Sequence, residues 1–271
     1  MFNPGPNRLH RLALMACFLA WPRHAALSDC PPPEAEKAKD DSRRDSVDRE
    51  AQSYKFSLDG DESDVTLIEE PVLRWGNGIR GATNGGTFLW TADGVPVATC
   101  CIWWSDPRTI CLTFGSLTEK PIQAEKKGKT IWHSTKPGLE YHDVPDAPAV
   151  ARSATARLTQ LRNIARDFSA VLVYGSQGTE ELRLLTQPLY RYGRDDAAIK
   201  DGAVFAFATG TDPELILQIE AVGDDDALRW RYAVTRRTSG VLRLSHKDDV
   251  VWSCTRTEGA FGEPFFVCPA P

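Results

Sequence analysis

The sequence predicts an α+β protein: two tandem copies of a mainly antiparallel β-sheet unit, joined by an amphipathic helix. Three observations predict it. A phrase recurs, 71-PVLRWG-76 and 188-PLYRYG-193, at a separation of 117 positions (188 minus 71). Short runs of alternating apolar and polar residues, the period of a half-buried strand, fill both regions. Between them Val150, Ala154, Leu158, Leu161, Ile164, Ala165 and Phe168 recur at three- and four-residue steps and form one apolar stripe.

Slid along itself by 117, the chain lays residues 54–104 on residues 171–221 without a gap. Pro71 meets Pro188, Arg74 meets Arg191, Gly85 meets Gly202 and Pro96 meets Pro213. Past the acidic turn 223-GDDD-226 the offset becomes 120, so that Lys127 meets Lys247 (247 minus 127) and Trp132 meets Trp252. The identities fall on prolines, glycines and aromatics, which fix turns and fill cores, as an internal duplication requires. The units run over 54–133 and 171–253, with a loop and connecting helix at 134–170 and a tail at 254–271.

At the N-terminus Arg8 and Arg11 precede an apolar run at 12–21, and small residues follow near Ala25 and Ser28. Residues 1–28 therefore read as a secretory signal peptide, and the apolar run is too short to span a bilayer as a helix. Cleavage removes Arg8, Arg11 and Arg23, three positive charges, and takes the net charge from −5 to −8. So acidic a chain excludes nucleic acid as a partner. Cys30 has a lipobox-like leucine at Leu27, but Asp29 stands where a small neutral residue is wanted. Export to the periplasm or beyond without a lipid is expected, with lipidation at Cys30 the less favoured alternative. Residues 29–53 hold three prolines and then almost nothing but small and charged side chains. Such a stretch buries too little to offset its ordering entropy and reads as a polar tether or solvated helix, with a weakly apolar helix around 45–53.

In the first copy strands are predicted at 66–75, 87–92, 95–104, 110–115 and 130–133, with Asp93-Gly94 as a tight turn. For the connecting helix, Pro148 suits the first turn and Asp146 can cap it. In the second copy strands are predicted at 183–192, 203–209, 214–221, 228–234, 241–245 and 250–253. Leu215, Leu217 and Ile219 alternate with Ile216, Gln218 and Glu220, while Trp230, Tyr232 and Val234 alternate with Arg229 and Arg231. These two runs make an antiparallel hairpin in which Glu220 faces Arg229. Its polar side reads as a solvated surface, with cross-strand pairs worth roughly 0.2–1 kcal/mol.

Enzyme signatures are missing. The stretch 59-DGDESDVTLIEE-70 places Asp59, Asp61, Ser63 and Glu70 like a calcium loop, but Asp64 stands where the turn glycine is needed. The stretch 174-YGSQGT-179 is one residue short of a nucleophile elbow and reads as a turn. His133, His142 and His246 have no spacing that enforces a metal site, so no metal is expected, and no cofactor fingerprint is present. Trp90, Trp104, Trp132, Trp230 and Trp252 fall on core positions. Trp103 alternates with them and faces outward, where an aromatic ring can stack on a sugar, which makes it the candidate ligand-binding residue.

Export permits disulfides. Six cysteines remain after cleavage (seven minus Cys17), and spacing alone leaves fifteen full pairings open. The duplication chooses among them. Glu220 against Arg229 places Gln218 opposite Arg231, and the two offsets carry this pair back to Cys101 opposite Cys111. The expected bonds are Cys101–Cys111 on the outer face of their hairpin and Cys254–Cys268 closing the tail. Cys100 is expected as a buried free thiol and Cys30 as unpaired.

The strings LRLLTQPLYRY at 182–192, DGAVFAFATGTDPELILQIEA at 201–221, LRWRYAVTRRTS at 228–239 and TFLWTADGVP at 87–96 resemble a large family of exported bacterial proteins of unknown function. The resemblance covers most of 54–253 and implies no activity. The expectation is an exported, non-catalytic binding or interaction module of the bacterial cell envelope, whose partner is a glycan, an apolar ligand or an envelope protein. The alternative is a secreted hydrolase with an active site assembled from loops such as 136–146.

Overall fold

The structure, a computed structural model, describes residues 34–61, 63–78, 82–174, 178–194, 197–224 and 227–271. The signal-peptide and lipidation readings, and the centres of the turns at 174–179 and 223–226, lie outside the described residues. Those described form antiparallel sheets and two helices. None of the helices is long and apolar enough to cross a membrane.

The first half begins with α1 (Glu34–Gln52) and continues through β1 (Tyr54–Leu58), β2 (Val65–Leu67), β3 (Leu73–Asn77), β4 (Ala82–Ala92), β5 (Val95–Trp104), β6 (Ile110–Ser116), β7 (Ile122–Lys126) and β8 (Lys129–Ser134). After it come β9 (His142–Asp143) and α2 (Ala154–Arg166). The second half holds β10 (Phe168–Val173), β11 (Thr179–Tyr192), β12 (Ile199–Thr209), β13 (Asp212–Val222), β14 (Arg229–Arg236), β15 (Val241–His246) and β16 (Asp249–Cys254), and the tail ends in β17 (Phe265–Pro269).

Three sheets result. The eight-stranded sheet has the order β16-β15-β10-β11-β12-β13-β14-β9. The six-stranded sheet runs β17-β6-β5-β4-β2, with β3 also on β4, and a three-stranded sheet runs β1-β7-β8. Each large sheet thus ends on a strand from the far side of the chain. The segment after β8 supplies β9 to the second half, and the segment after β16 supplies β17 to the first.

Alternation explains the cores. Phe56, Ile122 and Trp132 from the small sheet meet Phe88, Trp90 and Phe114 from the six-stranded sheet. Phe114 and Trp132 stack with centroids 5.4 Å apart. In the second half Leu161, Ile164 and Ala165 of α2 pack on Phe205, Leu217 and Trp230. Trp104 and Trp252, expected in the core, lie half-buried at its margin. The opposite faces of the two large sheets pack on each other, where Leu89 and Leu117 meet Val204, Ala206, Ile216 and Ala233.

Several expectations need correction. The stretch 34–52, expected as a tether or solvated helix, is helical and docked. Val47 and Ala51 are fully buried, and Gly86 on β4 lets Val47 approach the strand. Ion pairs do the rest: Asp48 holds Arg74 and Glu50 holds Lys126. The cap of α2 is Ser153, whose side chain accepts from the Ala156 amide, and Asp146 lies in the preceding loop with φ 51°. The clamp that fixes α2 to the sheet is buried Asp201, which takes Arg157 Nε at 2.9 Å and Arg191 Nη2 at 2.6 Å.

The hairpin register differs from the expected one by two residues. Glu220 faces Arg231, and correspondingly Cys101 faces Thr113 while Cys111 faces Trp103. A slip of two keeps every side chain on its expected face, so Cys100 is indeed buried and free. It does break the pairing. Cys101, Cys111, Cys254 and Cys268 are free thiols. Cys254 lies opposite Leu242 against the core of the second half, whereas Cys268 lies opposite Leu112 against that of the first. The tail is held by its strand pairing with β6, not by a disulfide.

Candidate functional site

The junction of the halves contains a cleft of about 250 Å³. It is built from strand alternation. On β5, Cys100 and Ile102 enter the core, so Cys101 and Trp103 point the other way. Trp75 on β3 lies opposite Gly85 on β4, and a Cβ at Gly85 would sit 2.5 Å from the indole. Glycine there lets the ring lie flat on the strand. Trp75 and Trp103 then face each other with centroids 5.9 Å apart. Trp103 is therefore half-buried in a cleft wall rather than displayed on an open sheet.

The second half supplies the charges. Glu214 lies on β13, and the Arg237 amide just beyond β14 donates to the Glu214 carbonyl at 2.8 Å. Both side chains line the cleft and are almost wholly buried, at 1 % and 4 % exposure. Arg237 reaches across the junction, and its Nη2 donates to the carbonyl and hydroxyl of Thr113, each at 2.6 Å. The guanidinium passes over Gly115, where a Cβ would collide with Nη1. Its Nε and Nη1 have no hydrogen-bond partner. A buried charged group with idle donors is costly, and an acceptor brought to it is bound strongly. At the rim Asn77 Nδ2 donates to Asp212 Oδ2 at 3.0 Å, and Thr211 exchanges bonds with the Gly76 backbone.

The residues at offsets 117 and 120 from this wall form a filled cluster in the second half. Tyr192 lies over Gly202 as Trp75 lies over Gly85, and Gln218 and Glu220 stand where Cys101 and Trp103 stand. Here Tyr141 closes the space. Its ring lies 3.7 Å from the Arg231 guanidinium, and its hydroxyl donates to Glu220 Oε1 at 3.1 Å. Tyr192 donates to the same oxygen at 2.8 Å, and Arg231 binds the other. Burial first, and the Glu220 charge second, push both phenols above their ordinary range, so both stay protonated donors. Tyr141 directly precedes His142, which pairs with Tyr232. In the first half Val267 directly precedes Cys268, which pairs with Leu112. Val267 lines the cleft.

No protein-family model, no curated protein and no solved structure matches this chain.

Other readings are dispersed. His133 Nε2 is 2.9 Å from Asp59, while His142 lies against Tyr232 in another sheet. His246 is buried against Phe168 rather than solvated. Asp61 pairs with Lys120, which holds its carboxyl below the usual range. In the loop 136–146, Lys136 pairs with Glu263, Asp143 with Arg229 and Asp146 with Lys247. These side chains do not converge. Arg237, Glu214 and Trp75 were missed by sequence reasoning. The usable signal was the pairing of Trp75 and Tyr192 with glycines ten residues on, which marks flat-lying aromatics at sheet positions.

Proposed function

We propose that the protein is an exported, non-catalytic binding module of the cell envelope, made of two related units that hold a small ligand in the cleft between them. Agreement between the halves supports the relatedness. The order β8-β7-β1, then β4-β5-β6, parallels β16-β15-β10, then β12-β13-β14. Lys127 and Lys247 both take left-handed turns, φ 52° and 55°. Arg74 and Arg191 both reach a helix, through Asp48 and through the Ala154 carbonyl. The exchanged strands β9 and β17 occupy matching edges. Export rests on the layout of residues 1–28.

The observation that carries the binding reading is Arg237: a buried guanidinium with idle donors, in a cleft walled by two indoles. A small carboxylate is the ligand such a group selects. Titration of the mature protein with a survey of small carboxylates should change the indole emission and raise the melting temperature. Arg237→Met should abolish both responses with an unchanged far-ultraviolet circular dichroism spectrum. A wild-type protein that answers to no member of the survey, or an R237M variant that answers equally, overturns this reading.

A further inference from the structure

We propose that the outer edge of β16, with the cavity over Trp252, docks a peptide segment of another protein. The segment presents backbone carbonyls in a row, a bulky apolar side chain and an acidic residue. This surface lies apart from the cleft of Arg237, and the two linings share no residue. Register is the first argument. Strands β7 and β8 pair Ile122 with Ser134, Gln123 with His133 and Ala124 with Trp132, then bulge before Glu125 meets Thr130. Strands β15 and β16 repeat this at an offset of 120 (242 minus 122), bulge included: Leu242 with Cys254, Arg243 with Ser253, Leu244 with Trp252, Ser245 with Val250. Ser253 and Thr255 are thus the counterparts of His133 and Thr135, and Trp252 that of Trp132.

The second argument is what each edge carries. The chain's own tail caps β8. His133 and Thr135 donate their amides to the carbonyls of Phe261 and Gly262, at 3.1 and 3.4 Å, and Trp132 Nε1 donates to that of Glu263 at 2.8 Å. Strand β16 ends its sheet, and among the described residues no segment caps it. Ser253 and Thr255 are exposed and Trp252 is half-buried, whereas Trp132 is wholly enclosed. An uncapped edge strand is a template for another chain. Side chains are the third argument. Phe114 stacks on Trp132 in the first half. Val234 holds the place of Phe114, and a cavity of about 520 Å³ lies against Val234 and Trp252, room for a bulky apolar side chain. On the capping segment Glu263 pairs with Lys136 at 2.6 Å. The counterpart of Lys136 is Arg256, which pairs with Glu258 where both side chains are exposed. Such a pair is worth little and gives way to an incoming carboxylate. The Arg236 guanidinium on the cavity wall is committed to the carbonyls of Thr238, Gly240 and Thr255, so the acidic residue belongs at Arg256 and the apolar one in the cavity.

The probe is a labelled peptide with the sequence of the capping segment, EGAFGEPF (residues 258–265), blocked at both ends and titrated against the purified protein. It should bind saturably, and the Ser253 and Thr255 amides should then exchange with deuterium about tenfold more slowly or better. Arg256→Gln should weaken binding about two- to fivefold, the range of an exposed ion pair. Replacing the peptide's second glutamate by glutamine should weaken binding to the wild type equally and to R256Q no further. Ser253→Pro removes an outward donor at a position where an edge strand tolerates proline, and should abolish binding. Arg237→Met should leave binding intact, so failure here and failure of the cleft reading are told apart. The assignment falls if the peptide does not bind, if R256Q binds it as the wild type does, or if the slowed amides lie away from β16. A dimer in sedimentation that Ser253→Pro separates would give this edge to a second copy of the chain and likewise overturn it.

Discussion

Glu220 is a carboxylate that alternation sends to the polar side of a strand, and a polar side ordinarily means water. It is wholly buried instead, because Tyr141 and Tyr192 close over it and Arg231 pairs with it. The pattern of one strand reports which residues share a face. It does not report what lies on top of that face. The same limit applies to Trp103, whose facing was legible while its place in a cleft wall was not. Removing the carboxylate strands Arg231 and two buried hydroxyls, so Glu220→Ala should cost toward the lower end of about 3–5 kcal/mol, since Arg231 keeps some exposure to water. Urea unfolding measures it. The phenols give a pH dependence. Tyr54, Tyr141 and Tyr192 are raised above the usual value of 10, by burial first and by neighbouring carboxylates second. Below pH 10 their contribution to stability is complete. Above it the unfolded chain releases phenolic protons that the native state keeps, so stability falls as pH rises. Unfolding free energies between pH 8 and pH 11 should show this decline, and phenolate absorbance should appear for these residues only with loss of the fold. The thiols give a third check: non-reducing peptide maps should recover Cys101, Cys111, Cys254 and Cys268 unpaired. Burial pushes Cys268 up to about 11, so alkylation of the native protein there should be slow.

Among the elements, long alternating strands were the most legible, and β5 occupies the predicted residues 95–104. Short strands were legible only in part: β8, β15 and β16, of six residues each, lie over predicted runs, whereas β1, β7 and β10, of five or six residues, were not predicted. Helix α1 was legible only at its C-terminal end, because Val47 and Ala51 are its buried apolar residues and ion pairs replace the stripe. The glycine–aromatic pairs join neighbouring strands in a way that periodicity cannot register. A methyl at Gly202 would stand 2.6 Å from the Tyr192 ring, and one at Gly85 equally close to Trp75. Each Gly→Ala change should therefore cost about 1–3 kcal/mol through overpacking. The two variants should differ otherwise: G85A displaces a cleft wall and weakens the fluorescence response to ligand, whereas G202A leaves that response in place. Melting curves and titrations on the pair separate these outcomes.

At the scale of the whole molecule, the exchange of β9 and β17 makes each half depend on the other. A chain ending at residue 254 loses the strand that covers β6 and with it buried Phe265. Its first half should be destabilised and its β6 amides should exchange with deuterium far faster than in the full chain, while those of β12 and β13 keep their protection. The exchange also has a consequence in time. Strand β6 is complete at Ser116, but the strand that pairs with its open edge begins only at Phe265, 149 residues later (265 minus 116). At about 5–20 residues per second, synthesis of that interval takes on the order of 7–30 s. Throughout it the nascent chain carries an unfilled edge on β6, and β17 closes a sheet whose other strands were made long before it.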